Sequence, residues 1–115
     1  MTFEQVDRYL LSKHGASFDY PFDENVRVYR VCNKMFALIV DKSPLKINLK
    51  CDPIYALELR SLYNSIQAGY HMNKKHWNTI EIGGDVDDEL LLELFDHSYE
   101  LILLGLTKNQ KEGIL

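Results

Sequence analysis

Residues 71–77, with the sequence HMNKKHW, bring together the side chains best suited to binding a nucleic acid or another anion. Lysine contacts phosphate, asparagine hydrogen-bonds to base edges, and aromatic rings stack on exposed bases. We therefore predict a basic strand and loop surface centred on this stretch. Its candidate binding residues are Lys34, Lys50, Arg60, His71, Asn73, Lys74, Lys75 and His76, with Tyr70 and Trp77 as supporting aromatic side chains.

The two histidines of this stretch also raise the question of a metal site. Four residues separate His71 from His76, but a zinc site needs a third and a fourth ligand at suitable spacing. Lys74 and Lys75 lie between the histidines, and their charge repels a cation. We therefore expect neither a metal nor another cofactor.

The cysteines and Ser98 give little support to a nucleophilic enzyme. Cys51 precedes an expected helix, whose N-terminus stabilises a thiolate, but no local motif pairs it with a histidine. A buried, unreactive thiol is the better interpretation. Ser98 lies among leucines, where a hydroxyl bonded to its own helix backbone is expected. Because no paired acid and base is evident either, we expect no enzymatic activity.

The net charge of -4 argues at first against a nucleic-acid partner. The charge is unevenly spread, however. Residues 27–76 hold nine basic and three acidic side chains, a net charge of +6, whereas residues 1–26 and 77–115 carry -3 and -7. Such asymmetry bears on binding partners rather than on the fold. A basic surface is therefore compatible with the negative net charge of the whole chain.

Length and composition favour one soluble globular domain spanning residues 1–115. Hydrophobic residues make up 46% of the chain and charged residues 26%, which is too apolar for a disordered protein. The N-terminus is acidic and amphipathic, unlike a signal or transit peptide. Two cysteines outside any CxxC motif suggest a reduced, cytoplasmic protein. The longest apolar run near the C-terminus, Leu101 to Leu104, is far too short for a membrane span.

Three helices are predicted from their capping residues. Thr2 and Gln5 fit a capping box. Asp52 before a proline is typical of the start of a second helix, which we extend to Gly69. A third and last helix begins at the acidic residues 87–89, whose charge suits its N-terminal dipole.

Apolar and β-branched runs predict an antiparallel sheet. Residues 45–50 alternate apolar and polar side chains, which is typical of a sheet with one buried and one solvated face. Asn33 tolerates positive φ and makes a tight turn between the first two runs. The predicted strands are residues 26–31, 35–40, 45–50 and 77–82. With the helices they define an α+β fold whose helices pack on one face of the sheet.

Several stretches are similar to the MmcQ/YjbR family of small bacterial proteins. The most specific is the run 69–79, GYHMNKKHWNT, which is accompanied by other matching segments. Those segments are residues 20–22, 33–38, 48–53, 59–60 and 98–99. Asn33 stands where the family usually has glycine, and both residues accept a left-handed turn.

The resemblance implies a fold similar to that of CyaY and frataxin, with a twisted antiparallel sheet and helices across one face. The family is described as DNA-binding through a double wing of hairpins, so the resemblance implies DNA as the partner. A frataxin-like fold also suggests iron binding through acidic residues. We treat this as a minor option, because the carboxylates gather toward the ends of the chain.

Two other interpretations stay open. The same stretch could line a site for a small anionic ligand or for another protein, with Tyr70 and Trp77 as walls. A second apolar stripe on the last helix suggests homodimerisation. That stripe consists of Leu92, Tyr99, Leu103 and Leu106.

Overall fold

A computed structural model describes residues 1–70 and 72–114. The strands in this part of the chain are β1 (Ser17–Asp19), β2 (Val26–Val31), β3 (Lys34–Val40), β4 (Lys46–Lys50), β5 (Ile66–Ala68) and β6 (Trp77–Glu81). They form one antiparallel sheet in the order β1-β2-β3-β4-β6-β5. The helices are α1 (Phe3–Leu11), α2 (Pro53–Leu62), α3 (Asp88–Leu104) and α4 (Lys108–Ile114). The expected α+β class is confirmed.

Helices and sheet enclose the main core between them. Ile47 and Leu49 of β4 point toward the helices and pack in the same cluster as Phe36 and Phe95. A smaller apolar cluster lies on the opposite side of the sheet. It contains Val28, Leu38 and Trp77, with Val26, Met35 and Met72 at its margin. We call this side the open face, because strands and loops alone line its groove in the described residues.

The capping residues form the helix starts that the sequence predicts. The Thr2 hydroxyl accepts from the Gln5 backbone N–H at 3.2 Å, and the Gln5 side chain accepts from the Thr2 N–H at 2.8 Å. The Asp52 carboxylate accepts from the N–H groups of Ile54 and Tyr55, both at 3.1 Å. These contacts satisfy donors that a helix start leaves without intrahelical partners.

The second helix is shorter than the sequence predicts. It ends at Leu62, and residues 66–68 form the edge strand β5 instead of continuing to Gly69. The carboxylate of Asp85 accepts from the N–H of Asn64 at 2.8 Å and from the N–H of Ser65 at 2.9 Å. These bonds hold the chain in a turn after α2. A side chain about twenty positions away therefore decides the helix end, and the local apolar pattern was misleading.

Two further elements were not predicted. Strand β1 pairs with β2, although the side chains of its three residues are exposed. Helix α4 follows α3, so α3 is not the last helix. The side chain of Ile114 on α4 packs against Gly15, where a Cβ would lie 2.8 Å from its Cγ2. Contacts with distant parts of the chain place both elements, so local patterns do not reveal them.

The second apolar stripe of the third predicted helix packs largely within the chain. Tyr99 and Leu106 are buried, and Leu92 and Leu103 are partly buried against the main core. Most of this stripe therefore serves the protein's own packing. Homodimerisation through it stays a prediction.

Ser98 joins α3 to two strands at once. Its buried hydroxyl donates to the Phe36 carbonyl at 2.5 Å and accepts from the Lys50 N–H at 2.9 Å. The β3–β4 ladder ends with the pair of Ala37 and Leu49, so the next rung would join Phe36 to Lys50. The Ser98 hydroxyl takes the place of that rung. The expected bond to its own helix backbone is therefore wrong.

We expect Ser98→Ala to lower the free energy of unfolding by about 1–3 kcal/mol, because it leaves a buried carbonyl and a partly buried N–H without their partner. Ser61→Ala is the matched control, since the exposed Ser61 hydroxyl bonds to the Glu58 carbonyl of its own helix. Urea denaturation measures both changes. Equal effects of the two substitutions would contradict the bridging role.

A hydrogen bond from α1 and an ion pair from the residues just after it reach α3. The Lys13 ammonium and the Tyr9 hydroxyl both donate to the Asp96 carboxylate, the latter at 2.6 Å. Partial burial acts to raise the pKa of Asp96, but the hydrogen bonds from Lys13 and Tyr9 and the charge of Lys13 outweigh it. The pKa of Asp96 is therefore lowered in the folded protein. Its ionised form contributes to stability at neutral pH.

We expect Asp96→Asn to destabilise the protein at neutral pH, by less than about 1 kcal/mol because the ion pair is partly exposed. A lowered folded-state pKa gives stability that is present above the unfolded value of 3.8 and is lost as pH falls through the folded value. Urea denaturation across the acid range measures the difference between variant and wild type. The difference in unfolding free energy is expected to stay constant down to about pH 5 and then to become smaller. A difference that becomes larger at acidic pH would contradict the lowered pKa of Asp96.

Candidate nucleic-acid interface

The strand register brings two hairpin tips and the end of β4 to one end of the sheet. The β2–β3 turn lies between Val31 and Lys34, which pair with each other. Strand β4 ends at this level with Lys50, which pairs with Trp77 at the start of β6. The loop that joins β5 to β6 therefore ends at the same level. We call this end, formed by residues 32–34, Lys50 and the described part of 69–76, the basic end.

The β2–β3 turn fixes the first tip of the basic end. Cys32 and Asn33 have φ angles of 49° and 67°, as a two-residue hairpin turn with two left-handed positions requires. The Lys34 ammonium donates to the Gly105 carbonyl at 2.9 Å, at the C-terminal end of α3. That helix end favours a cation. Lys34 therefore lies at the predicted surface but is tied to the helix layer.

The second tip carries Lys74 and Lys75, both exposed. Asn73 shapes this loop, because its side-chain oxygen accepts from the Lys75 N–H at 3.0 Å. Its carbonyl accepts from the N–H groups of His76 and Trp77, at 3.2 and 3.0 Å. His76 is half-buried, and its carbonyl accepts from the Cys51 N–H at 2.8 Å. The loop is therefore held by its own backbone and presents two lysines.

Arg60 does not lie among the exposed cations. Its Nε donates to Asn78 Oδ1 at 2.6 Å, and a terminal nitrogen donates to the carbonyls of Lys74 and of Trp77, the latter at 3.2 Å. The guanidinium is half-buried between α2 and the second tip. Its donors are directed at the loop backbone and at Asn78, which gives Arg60 a positioning role. Its contact with phosphate stays a prediction.

The two supporting aromatic residues have different environments. Trp77 is 8% exposed and packs with Val28 and Leu38 on the open face. Tyr70 is 72% exposed and lines the groove of the open face. Trp77 is therefore largely covered, whereas Tyr70 is largely exposed. His71 lies outside the described residues.

Carboxylates gather at the opposite end of the sheet. Glu81 ends β6 there, Asp85 follows it, and Asp87 caps the start of α3. Asp23 and Asp41 flank the same end of β2 and β3. The two lysines found there are Lys42 and Lys46. Positive and negative side chains are therefore separated along the strand direction. The net charges of residues 1–26, 27–76 and 77–115 anticipate this separation only in part.

A groove of about 1100 Å³ crosses the open face. Val26, Leu38, Val40, Ala68 and Met72 give it apolar walls, and Asn48, Gln67 and Thr79 give it polar groups. Asn48 and Thr79 are 5% and 9% exposed. Sequence reasoning missed both, although Asn48 falls on the solvated side of the alternating 45–50 pattern.

Cys51 is buried, and burial followed by the nearby Asp52 charge raises the pKa of its thiol to about 11. The Cys51 thiol is therefore not activated as a nucleophile at neutral pH. Within residues 1–70 and 72–114, no group of three or more His, Cys, Asp or Glu side chains is arranged to hold a metal. No helix in these ranges is long and apolar enough to cross a bilayer.

The fold and site define a two-layer α+β protein with one open sheet face and a basic end built from two hairpin tips. The YjbR family model matches residues 11–101. The Escherichia coli O157:H7 protein YbdF is 35% identical over 112 residues, which cover 96% of this chain and 92% of that protein. YjbR of Escherichia coli strain K12 is 29% identical over 102 residues, covering 87% and 86%. The chain belongs to the YjbR family.

A solved structure supports the same fold. The crystal structure of the Deinococcus radiodurans protein DR2400 superposes with a TM-score of 0.91 at 35% identity, covering 98% of this chain and 87% of that chain. The antiparallel sheet with helices on one side is therefore shared. The family inferred from the 69–79 run is confirmed.

We expect Arg60→Leu to lower the free energy of unfolding by about 2 kcal/mol, since it leaves three acceptors without their charged donor. It is also expected to speed hydrogen exchange at His76 and Trp77 in the second tip. Arg8→Leu is the matched control, because Arg8 is exposed on α1. The positioning role is wrong if the two variants are equally stable and the tip exchanges at the wild-type rate.

Proposed function

We propose that the protein is a cytoplasmic, non-enzymatic DNA-binding protein that contacts phosphates through its basic end. The observation that supports this most directly is the register, which gathers Lys50, Lys74 and Lys75 at one end of the sheet. Lys34 lies at the same end, with its ammonium at the end of α3. Phosphate contacts of this kind position a protein on DNA without reading its sequence.

The two hairpins suit a backbone-tracking surface. The β2–β3 hairpin and the β5–β6 hairpin flank β4, so β3 and β6 are two strand spacings apart, roughly 10 Å. Each tip carries a cation toward the same end. We identify these two hairpins with the double wing that the family resemblance implies, and propose that both tips meet one DNA backbone.

The charge separation also supports this orientation. A duplex that approaches the basic end meets lysines, while a cluster of carboxylates lies at the far end of the sheet. Because the whole chain has a net charge of -4, long-range attraction is weak. The proposed binding is therefore modest in affinity and strongly dependent on salt.

We expect binding to a short DNA duplex to weaken with salt along a log–log slope of about -3, from three freely available lysines at about 0.9 each. Fluorescence anisotropy with a labelled duplex between low and moderate salt measures this slope. Lys74→Glu/Lys75→Glu is expected to reduce the affinity at least tenfold. Arg8→Glu/Lys42→Glu changes the net charge equally, away from the basic end, and is expected to have a much smaller effect.

Two results would overturn the proposal. One is the absence of duplex binding even at low salt. The other is an equal loss of affinity in both double variants, because the change in net charge alone would then explain the weaker binding. Thermal stabilisation by small organic anions without any DNA binding would favour the alternative of an anion-binding module.

A further inference from the structure

The floor of the open-face groove holds a hydrogen-bond donor in a fixed orientation. The Thr79 hydroxyl donates to Asn48 Oδ1 and accepts from the Tyr70 N–H at 3.0 Å. Because the amide oxygen is already used, Asn48 presents its Nδ2 group. That nitrogen donates to no atom of the described residues and is not sealed from solvent. A side chain that is 95% covered thus offers a preset donor to a ligand in the groove.

The position of Asn48 links the groove to the basic end. Asn48 and Lys50 share one face of β4 and are about 7 Å apart along the strand. Beyond Lys50 lies the second tip, whose loop provides Met72 to the groove wall and Lys74 to the basic end. A ligand held at Asn48 can therefore extend its anionic part across Lys50 toward this tip.

The distribution of charge along the groove determines the direction in which such a ligand extends. Lys42 and Lys46 line the far half of the groove together with Asp23 and Glu81, so that half has no net charge. Near the basic end, Lys50, Lys74 and Lys75 leave an excess of positive charge. A polyanion is therefore drawn out of the groove over the second tip.

The geometry points to single-stranded DNA as the ligand, with an unpaired base in the groove, a base acceptor on Asn48 Nδ2 and the adjoining phosphates on Lys50 and the second tip. This inference rests on the proposed DNA binding and names its substrate form. A base can reach the groove floor only when it is unpaired, since duplex bases are enclosed by their own backbones. The exposed Tyr70 ring at the rim offers a surface on which a neighbouring base can stack.

Asn48 also limits the specificity. Recognition of adenine by asparagine uses the amide oxygen and nitrogen together. In this protein the oxygen already accepts from Thr79, which favours recognition through the Nδ2 group alone, a donor for any base that carries an acceptor. The groove therefore distinguishes strands with bases from strands without them, rather than one sequence from another.

The test compares three probes by fluorescence anisotropy: a twelve-nucleotide oligo-dT, an abasic strand with the same number of phosphates, and a short duplex. We expect oligo-dT to bind at least tenfold more tightly than the abasic strand, because stacking contributes about 1–3 kcal/mol per base. Asn48→Asp, which replaces the donor by an anion, is expected to remove most of this preference and leave duplex binding nearly unchanged. Asn109→Asp on α4 is the matched control for charge.

Chemical-shift mapping with the wild-type protein keeps the proposal testable if Asn48→Asp does not fold. Oligo-dT is expected to shift the amide signals of Asn48, Gln67 and Thr79, and the duplex those of Lys74 and Lys75. Equal affinity for oligo-dT and the abasic strand, or shifts from oligo-dT at the basic end alone, would overturn the inference while the proposed function stands. No binding of any probe at low salt would overturn both.

Discussion

The hydroxyl of Ser98 is the contact on which the basic end depends. It replaces the hydrogen bond that would otherwise continue the β3–β4 ladder, and so connects α3 to the point where these strands separate. On the preceding residue, the His97 ring accepts from the Asp52 N–H at 3.1 Å, at the start of α2. One turn of α3 therefore fixes where β4 ends and α2 begins. This turn of α3 therefore positions Lys50 and helix α2, which carries Arg60.

Arg60 extends this constraint to the second tip. It reaches from α2 to two carbonyls and the Asn78 side chain, so the loop that presents Lys74 and Lys75 is attached to the helix layer. Lys34 attaches the first tip to the end of α3 in the same way. Two of the predicted cations thus hold the surface in shape, and the proposed ligand contacts fall to Lys50, Lys74 and Lys75.

Elements specified by neighbouring residues were well predicted. Thr2 with Gln5 and Asp52 before proline satisfy their own helix starts, and the alternation in residues 45–50 identifies the buried side of β4. Residues 63–69 were misassigned, because Asp85 holds the turn that ends α2. Gly69 allows the close contact of β5 with β6, where a Cβ would lie 2.8 Å from that of Trp77. An apolar pattern alone predicts neither the contact of Asp85 with the turn nor that of Gly69 with Trp77.

By itself, the sequence determined the α+β class, the family, the capping residues and the chemical character of the candidate surface, because side-chain type and short spacing carry that information. Tertiary structure decided which cations are free, since Arg60 and Lys34 find carbonyl partners far along the chain. It also decided that Asn48 and Thr79 share the floor of a groove. That arrangement follows from the pairing of β4 with β6, which joins positions 31 residues apart in the chain.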